Sequence, residues 1–160
     1  MGSKPTLSAN LSRYFFVGVL LITIVSLITL SYKAPTSATA EFGGVSLRID
    51  YATTPAEREK GLGDRTSVPA DYGMLFVFAK DDTYGFWMKD TLVPLDMFWL
   101  DNKGQVVSIA QDVATSTYPS VFYPNMPARY VLETAAGFAQ AHSVATGTPL
   151  LLKFFPTVSQ

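Results

Sequence analysis

Residues 15–30 read FFVGVLLITIVSLITL, and none of them is charged. Twelve of the sixteen are hydrophobic and they fall at all helical angles, so a helix here has no polar face to turn toward water. Tyr14 and Tyr32 flank the run as interfacial aromatics do. The stretch between them approaches the roughly 20 residues that cross a bilayer. This run divides the chain. Residues 1–13 read as a cytoplasmic N-terminus, because Lys4 and Arg13 precede the run. Residues 14–32 read as a single transmembrane anchor or a signal sequence. Residues 33–42 are small, polar and Pro-containing, which is linker composition, and 43–156 read as the folded domain.

Two fates of the run fit. An uncleaved anchor gives a single-pass protein of the cell membrane, held through residues 14–32, with the C-terminal domain outside the cytoplasm. Cleavage near Ala40 gives a secreted or periplasmic domain, since Ala38-Thr39-Ala40 has the small-x-small form that signal peptidase reads. That motif lies well past the run, and the run is long for a signal core, which favours the anchor.

Charge follows the same division. Residues 1–40 carry Lys4, Arg13 and Lys33 and no acid, a balance of +3; residues 41–160 carry the other nine bases and all thirteen acids, a balance of −4. A mildly acidic domain lacks the basic face that nucleic acid requires, so no nucleic-acid partner is expected. The chain has no cysteine, which excludes disulfide scaffolds, thiolate metal sites and thiol catalysis. His142 is the single histidine, which excludes multi-histidine metal centres. No metal site and no cofactor are expected.

From residue 41 the pattern is that of short strands. Val45, Leu47, Ile49 and Tyr51 alternate with Ser46, Arg48 and Asp50, a half-buried strand. Thr54-Pro55-Ala56-Glu57 fits a helix start, with Thr54 as cap, Pro55 at the first position and Glu57 closing a capping box. Residues 73–78, 84–88, 94–100, 105–110, 128–133 and 149–155 read as further strands. Asp81-Asp82 and Asp101-Asn102-Lys103-Gly104 read as turns, the second of them making a hairpin. Thr134 is expected to cap a short helix reaching His142. The predicted class is mostly β: a compact antiparallel sandwich or partly closed barrel with one or two short helices.

Three stretches resemble the family catalogued as domain of unknown function 192. They are Lys60-Gly61-Leu62 through Arg65 and on to Gly73–Phe78; Phe86-Trp87-Met88-Lys89-Asp90-Thr91 through Pro94-Leu95-Asp96; and Pro127–Glu133 with Ala136-Gly137 and Gly147. The family usually shows methionine where Gly63 stands and asparagine where Asp90 stands. The resemblance implies a mostly-β, jelly-roll-like fold, often behind an export signal. It implies no accepted reaction, so no catalytic residue is carried over.

The polar residues that invite a functional reading are Arg65, Lys89, Asp96, Arg129 and Glu133. Asp96 stands in an otherwise apolar strand and must find a partner or reach solvent. Arg65, Lys89 and Arg129 are its expected ion-pair partners. Arg129 and Glu133 lie four apart on one strand and so share a face, read as solvated or as part of the same cluster. Trp87 and Trp99 are candidate aromatic contacts for a ligand such as a glycan. Three functions follow. The first is a binding or accessory module of the cell envelope, holding a small ligand, a glycan or a protein partner. The second is an enzyme in which Asp96 acts with Glu133 or Asp90 on a small anionic or glycan substrate oriented by Arg65 and Lys89. The third is a structural envelope protein with no ligand pocket.

Overall fold

The computed structural model describes residues 37–158; the apolar segment 14–32, with its anchor or signal reading, lies outside the described residues. Among the described residues no helix is long and apolar enough to cross a membrane. The domain is mostly β, with two short helices. The strands are β1 (Ser37–Phe42), β2 (Val45–Ala52), β3 (Tyr72–Asp82), β4 (Leu95–Leu100), β5 (Val106–Val113), β6 (Ala128–Ala135) and β7 (Leu151–Leu152). Helix α1 (Pro55–Lys60) follows β2, and α2 (Phe138–Ala141) follows β6.

All seven strands form one sheet in the order β5-β4-β6-β3-β2-β1-β7. The sheet curls into a half-barrel. A bridge between Gln105 and Pro149, with Leu150 N–H donating to the Gly104 carbonyl, joins its two edge regions at one end. The expected all-antiparallel arrangement is corrected at one place: β2 and β3 run parallel, Arg48 opposite Tyr72 and Ala52 opposite Phe76. A parallel pair needs a crossover, and residues 53–71, including α1, supply it. The expected linker is corrected as well. Residues 37–42 are β1, paired along their length with β2, and Ala40 is buried.

Each face of the sheet carries its own core, as the strand alternation requires. One face gathers Phe42, Leu47, Ile49, Leu75, Val77, Phe98, Leu100 and Leu132. The opposite face gathers Met74, Phe76, Met97, Trp99 and Val131, with Met88, Phe86 and Phe122 laid over them. The residues over this second face come from two crossing segments. Because β6 lies between β3 and β4, the chain leaving β3 must pass over β6 to reach β4. The strand expected at 84–88 is therefore a crossing segment with a single bridge, Phe86 to Phe122, in which each N–H donates to the other's carbonyl at 2.9 and 2.7 Å. A Cβ on Gly85 would lie 2.6 Å from the Tyr123 ring and from Val121, so only glycine lets the two segments approach this closely.

Three other boundaries differ from expectation. Asp81 and Asp82 continue β3 instead of turning. β6 runs on through Thr134 to Ala135, and the helix after it is only Phe138–Ala141. Of the expected strand 149–155 only Leu151–Leu152 forms a strand, paired with β1, while Pro149 makes the single bridge to Gln105. The capping box is present as expected, Thr54 Oγ accepting from Glu57 N–H and the Glu57 carboxylate accepting from Thr54 N–H. The hairpin over Asp101–Gly104 is present too, linking β4 to β5. Asp90 has φ 53°, a left-handed conformation that Asp and Asn tolerate better than most side chains.

Candidate functional site

The crossing of 84–91 over the second face, with α1 beside it, leaves a cleft of about 310 Å³. Its apolar walls are Phe76 and Phe78 of β3 and Tyr84, Phe86 and Trp87 of the crossing segment. The rings brace one another. Phe86 meets Phe76 edge-on at 4.8 Å, and Phe78 stacks on Tyr84 at 3.5 Å. Arg58, Glu59 and Lys60 of α1, with Lys89, form the polar part of the lining.

Glu133 belongs to this cleft. It sits on the central strand β6, opposite Met74 on one side and Met97 on the other. The expected solvated position is corrected: Glu133 is only 4% exposed, because its strand is covered on both sides and its face is roofed by the crossing segment. Among the described residues no group hydrogen-bonds its carboxyl, yet neither oxygen is sealed off as a fully buried unpartnered atom. The carboxyl therefore opens onto the cleft. Burial alone pushes its pKa up to about 8, so at neutral pH it is mostly protonated and can donate.

Arg58 is the other unusual group. Its Nη1 donates to the Thr53 carbonyl at 2.6 Å and the Val77 carbonyl at 3.0 Å. Val77 is where the β3–β6 register shifts, and the arginine meets a carbonyl at that irregularity. The guanidinium lies over the Phe78 ring at 5.1 Å. Among the described residues it has no carboxylate partner, and its Nε and Nη2 donate to nothing. Nothing in the local sequence PAEREK separates Arg58 from an ordinary exposed helix residue; only the tertiary placement does.

The five polar residues singled out in the sequence do not form one cluster. Lys89 and Glu133 share the cleft. Lys89 pairs with Glu59 at 2.8 Å and lies 5.8 Å from the Trp87 ring centre; that pairing raises its pKa. Beyond the pair lies a second hollow, lined by Ala56, Glu59, Lys60, Gly63, Lys89 and Asp90. Arg65 stands elsewhere, 4.8 Å over the Tyr72 ring and 3.9 Å from Asp50. Arg129 pairs with Asp81 at 2.6 Å.

Asp96 is the clearest correction. It is fully buried, and none of the three expected cations reaches it. Its carboxylate accepts from three backbone amides: Asp112 at 2.8 Å, Gly137 at 3.3 Å and Ala139 at 2.7 Å. Asp96 and Glu133 also point to opposite faces, since Glu133 is in register with Met97. They cannot act as a carboxylate pair. Trp99 is corrected too: it is 1% exposed, with its indole N–H on the Tyr84 carbonyl, and belongs to the core. Trp87 is 42% exposed at the cleft and stays a candidate contact.

The family model of DUF192, described as an uncharacterized ACR, matches residues 38–152. The chain belongs to the DUF192 family. Two solved structures resemble this DUF192 domain. A protein from Sinorhizobium meliloti 1021, described as a "putative transcription regulator", has a TM-score of 0.66 and 28% identity, covering 74% of this chain and 96% of that one. A protein of unknown function from Novosphingobium aromaticivorans DSM 12444 has a TM-score of 0.66 and 27% identity, covering 72% of this chain and 85% of that one. No curated protein matches. In this DUF192 chain a Cβ on Gly63 would lie 2.9 Å from the Lys60 carbonyl, so the turn after α1 is shaped around the glycine.

Proposed function

We infer that this DUF192 domain is a small-ligand binding module, carried outside the cytoplasm and accessory to the cell envelope. The observation that carries the reading is Glu133: a carboxyl in the interior of the domain, without a partner among the described residues, opening onto an aromatic cleft. A carboxyl that opens onto an apolar cleft keeps only partial access to water and has hydrogen-bonding capacity to offer. A ligand that hydrogen-bonds it would replace that water. Export rests on the apolar run at 14–32 and the two basic residues before it. The acidic balance of residues 41–160 favours a partner other than nucleic acid. The regulator role attached to the Sinorhizobium protein stays with that protein.

The enzyme reading loses the pair it needed, because Asp96 is fully engaged on the far face and Asp90 lies in the neighbouring hollow. A structural domain without a pocket is disfavoured by the cleft itself.

The test is thermal unfolding of the full chain against glycans, short peptides, organic acids and amines. A ligand at a hundredfold excess over its Kd stabilises by about 2.7 kcal/mol, a shift on the order of 5–10 °C. Trp87 provides a second readout. With Trp99 buried, the change in emission on binding should vanish in Trp87→Phe. No shift with any class would overturn the reading in favour of a protein partner or a structural role.

A further inference from the structure

The ligand class can be narrowed, on the footing that the cleft is a binding site. With Glu133 uncharged, the lining holds three cations, Arg58, Lys60 and Lys89, against one acid, Glu59. Lys89 is neutralised by Glu59, and Lys60 is paired with Asp64. Arg58 is left as a half-buried cation with no carboxylate partner among the described residues and two nitrogens still able to donate. Its head is fixed in place by two backbone carbonyls and an aromatic ring. A guanidinium held in this way is prepared to receive a carboxylate at little further entropic cost.

The second polar contact lies further along the same strand. Arg58 is anchored at Val77, whereas Glu133 lies opposite Met74. Three residues of strand separate those positions, about 10 Å. Phe76 lies within this stretch, Phe78 lies just past its Val77 end beneath Arg58, and Phe86 covers Phe76. We propose that the cleft takes an elongated apolar organic acid, its carboxylate on Arg58, its apolar body along Phe76, Phe78 and Phe86, and a hydrogen-bond acceptor at its far end on Glu133.

The inference carries its own pH signature. The charged and titratable groups lining the cleft around Glu133 are Arg58, Glu59 and Lys60 from α1 and Tyr84 and Lys89 from the crossing segment; β3 and β4 place Met74 and Met97 beside it. A ligand that accepts from the protonated Glu133 carboxyl must bind less well once that carboxyl ionises. An amine-bearing ligand would behave in the opposite way, gaining affinity as the carboxylate forms.

Para-acetyl-phenylbutyrate is a suitable probe, with its carboxamide and the corresponding amine as controls, titrated calorimetrically into the full chain between pH 6 and 9.5. The acid should bind at least about thirtyfold more tightly than the amide at pH 7, the order expected of a charge-assisted pair. Its affinity should be level to about pH 7.5 and then fall, approaching tenfold per unit. Glu133→Gln, which still donates but cannot titrate, should flatten that profile. Arg58→Gln should erase the preference for acid over amide; should that variant fail to fold, the native profile and Glu133→Gln decide. An amine that binds more tightly than the acid and strengthens with pH overturns the ligand class while leaving a binding module. So does a panel hit without a carboxylate whose affinity ignores pH. An acid whose affinity is level across the range removes the role given to Glu133. Failure of every class, acid, amide, amine, glycan and peptide, overturns the binding reading itself.

Discussion

Asp96 shows how far a side chain can act from its own strand. Its two oxygens hold the amides of Asp112 and Gly137, both at positive φ (49° and 84°), and of Ala139 at the start of α2. Removing the carboxylate orphans three buried or part-buried donors. Asp96→Ala should therefore lose about 3–5 kcal/mol in urea unfolding, and Asp96→Asn a large part of that, because its NH2 faces donors. Glu133 has the opposite energetics. Its folded pKa of about 8 lies above the ordinary 4.5, so the native state binds the proton more tightly than the unfolded chain. Stability from this source is complete below about pH 4.5 and is lost as pH rises through about 8, by up to about 1.4 kcal/mol per unit. Glu133→Gln should flatten that decline, as read by unfolding midpoints across the window. In the sequence Asp96 stands out within an apolar strand, whereas Glu133, four residues after Arg129, reads as solvated or as part of a polar cluster. The fate of neither is legible there, because the amides that hold Asp96 and the chain that buries Glu133 come from distant residues.

At the scale of elements, locally encoded features could be read directly and crossing features could not. Thr54, Pro55 and Glu57 specify the start of α1 among themselves, and the capping box forms as the residues suggest. Its hydrogen bonds lower the Glu57 pKa to about 2. This contribution is present above the ordinary carboxylate range and fades as pH falls through about 2, and on an exposed helix it is modest. Thr54→Ala should cost about 1 kcal/mol, measurable as a lower urea midpoint, and should loosen the helix that carries Arg58 and Glu59. The segment Tyr84–Met88 has the composition of a strand, and composition misleads there. Whether such a run joins a sheet or lies across it depends on β6 being inserted between β3 and β4, and β6 is forty residues later. The second helix begins later than the local sequence predicts for a similar reason. Thr134 has the chemistry of a cap, but the carboxylate that accepts from the Gly137 and Ala139 amides is that of Asp96.

For the molecule as a whole, the cleft follows from topology more than from any motif. Two segments must cross one face of a seven-stranded sheet, and the residues they lay over it determine what the cleft can hold. Trp99 anchors that arrangement from below, buried against Phe86 and donating to Tyr84. Trp99→Ala should cost about 3–5 kcal/mol and abolish ligand-induced shifts together with cooperative unfolding. The first strand has a consequence for maturation. Ala38-Thr39-Ala40 is both the peptidase-like motif and half of β1, with Ala40 buried and opposite both Leu47 and Leu152. A cut after Ala40 would remove Ser37–Ala40, four of the six residues of the strand, and leave Glu41 as β7's sole partner. If a signal peptidase acts at this motif, it and the sheet compete for the same four residues, and the order of events decides between them. A chain that folds first hides the bond within β1. A chain cut first should melt well below the intact one, and the mass of the protein recovered from both the membrane and the soluble fractions of its host would show whether the cut is made.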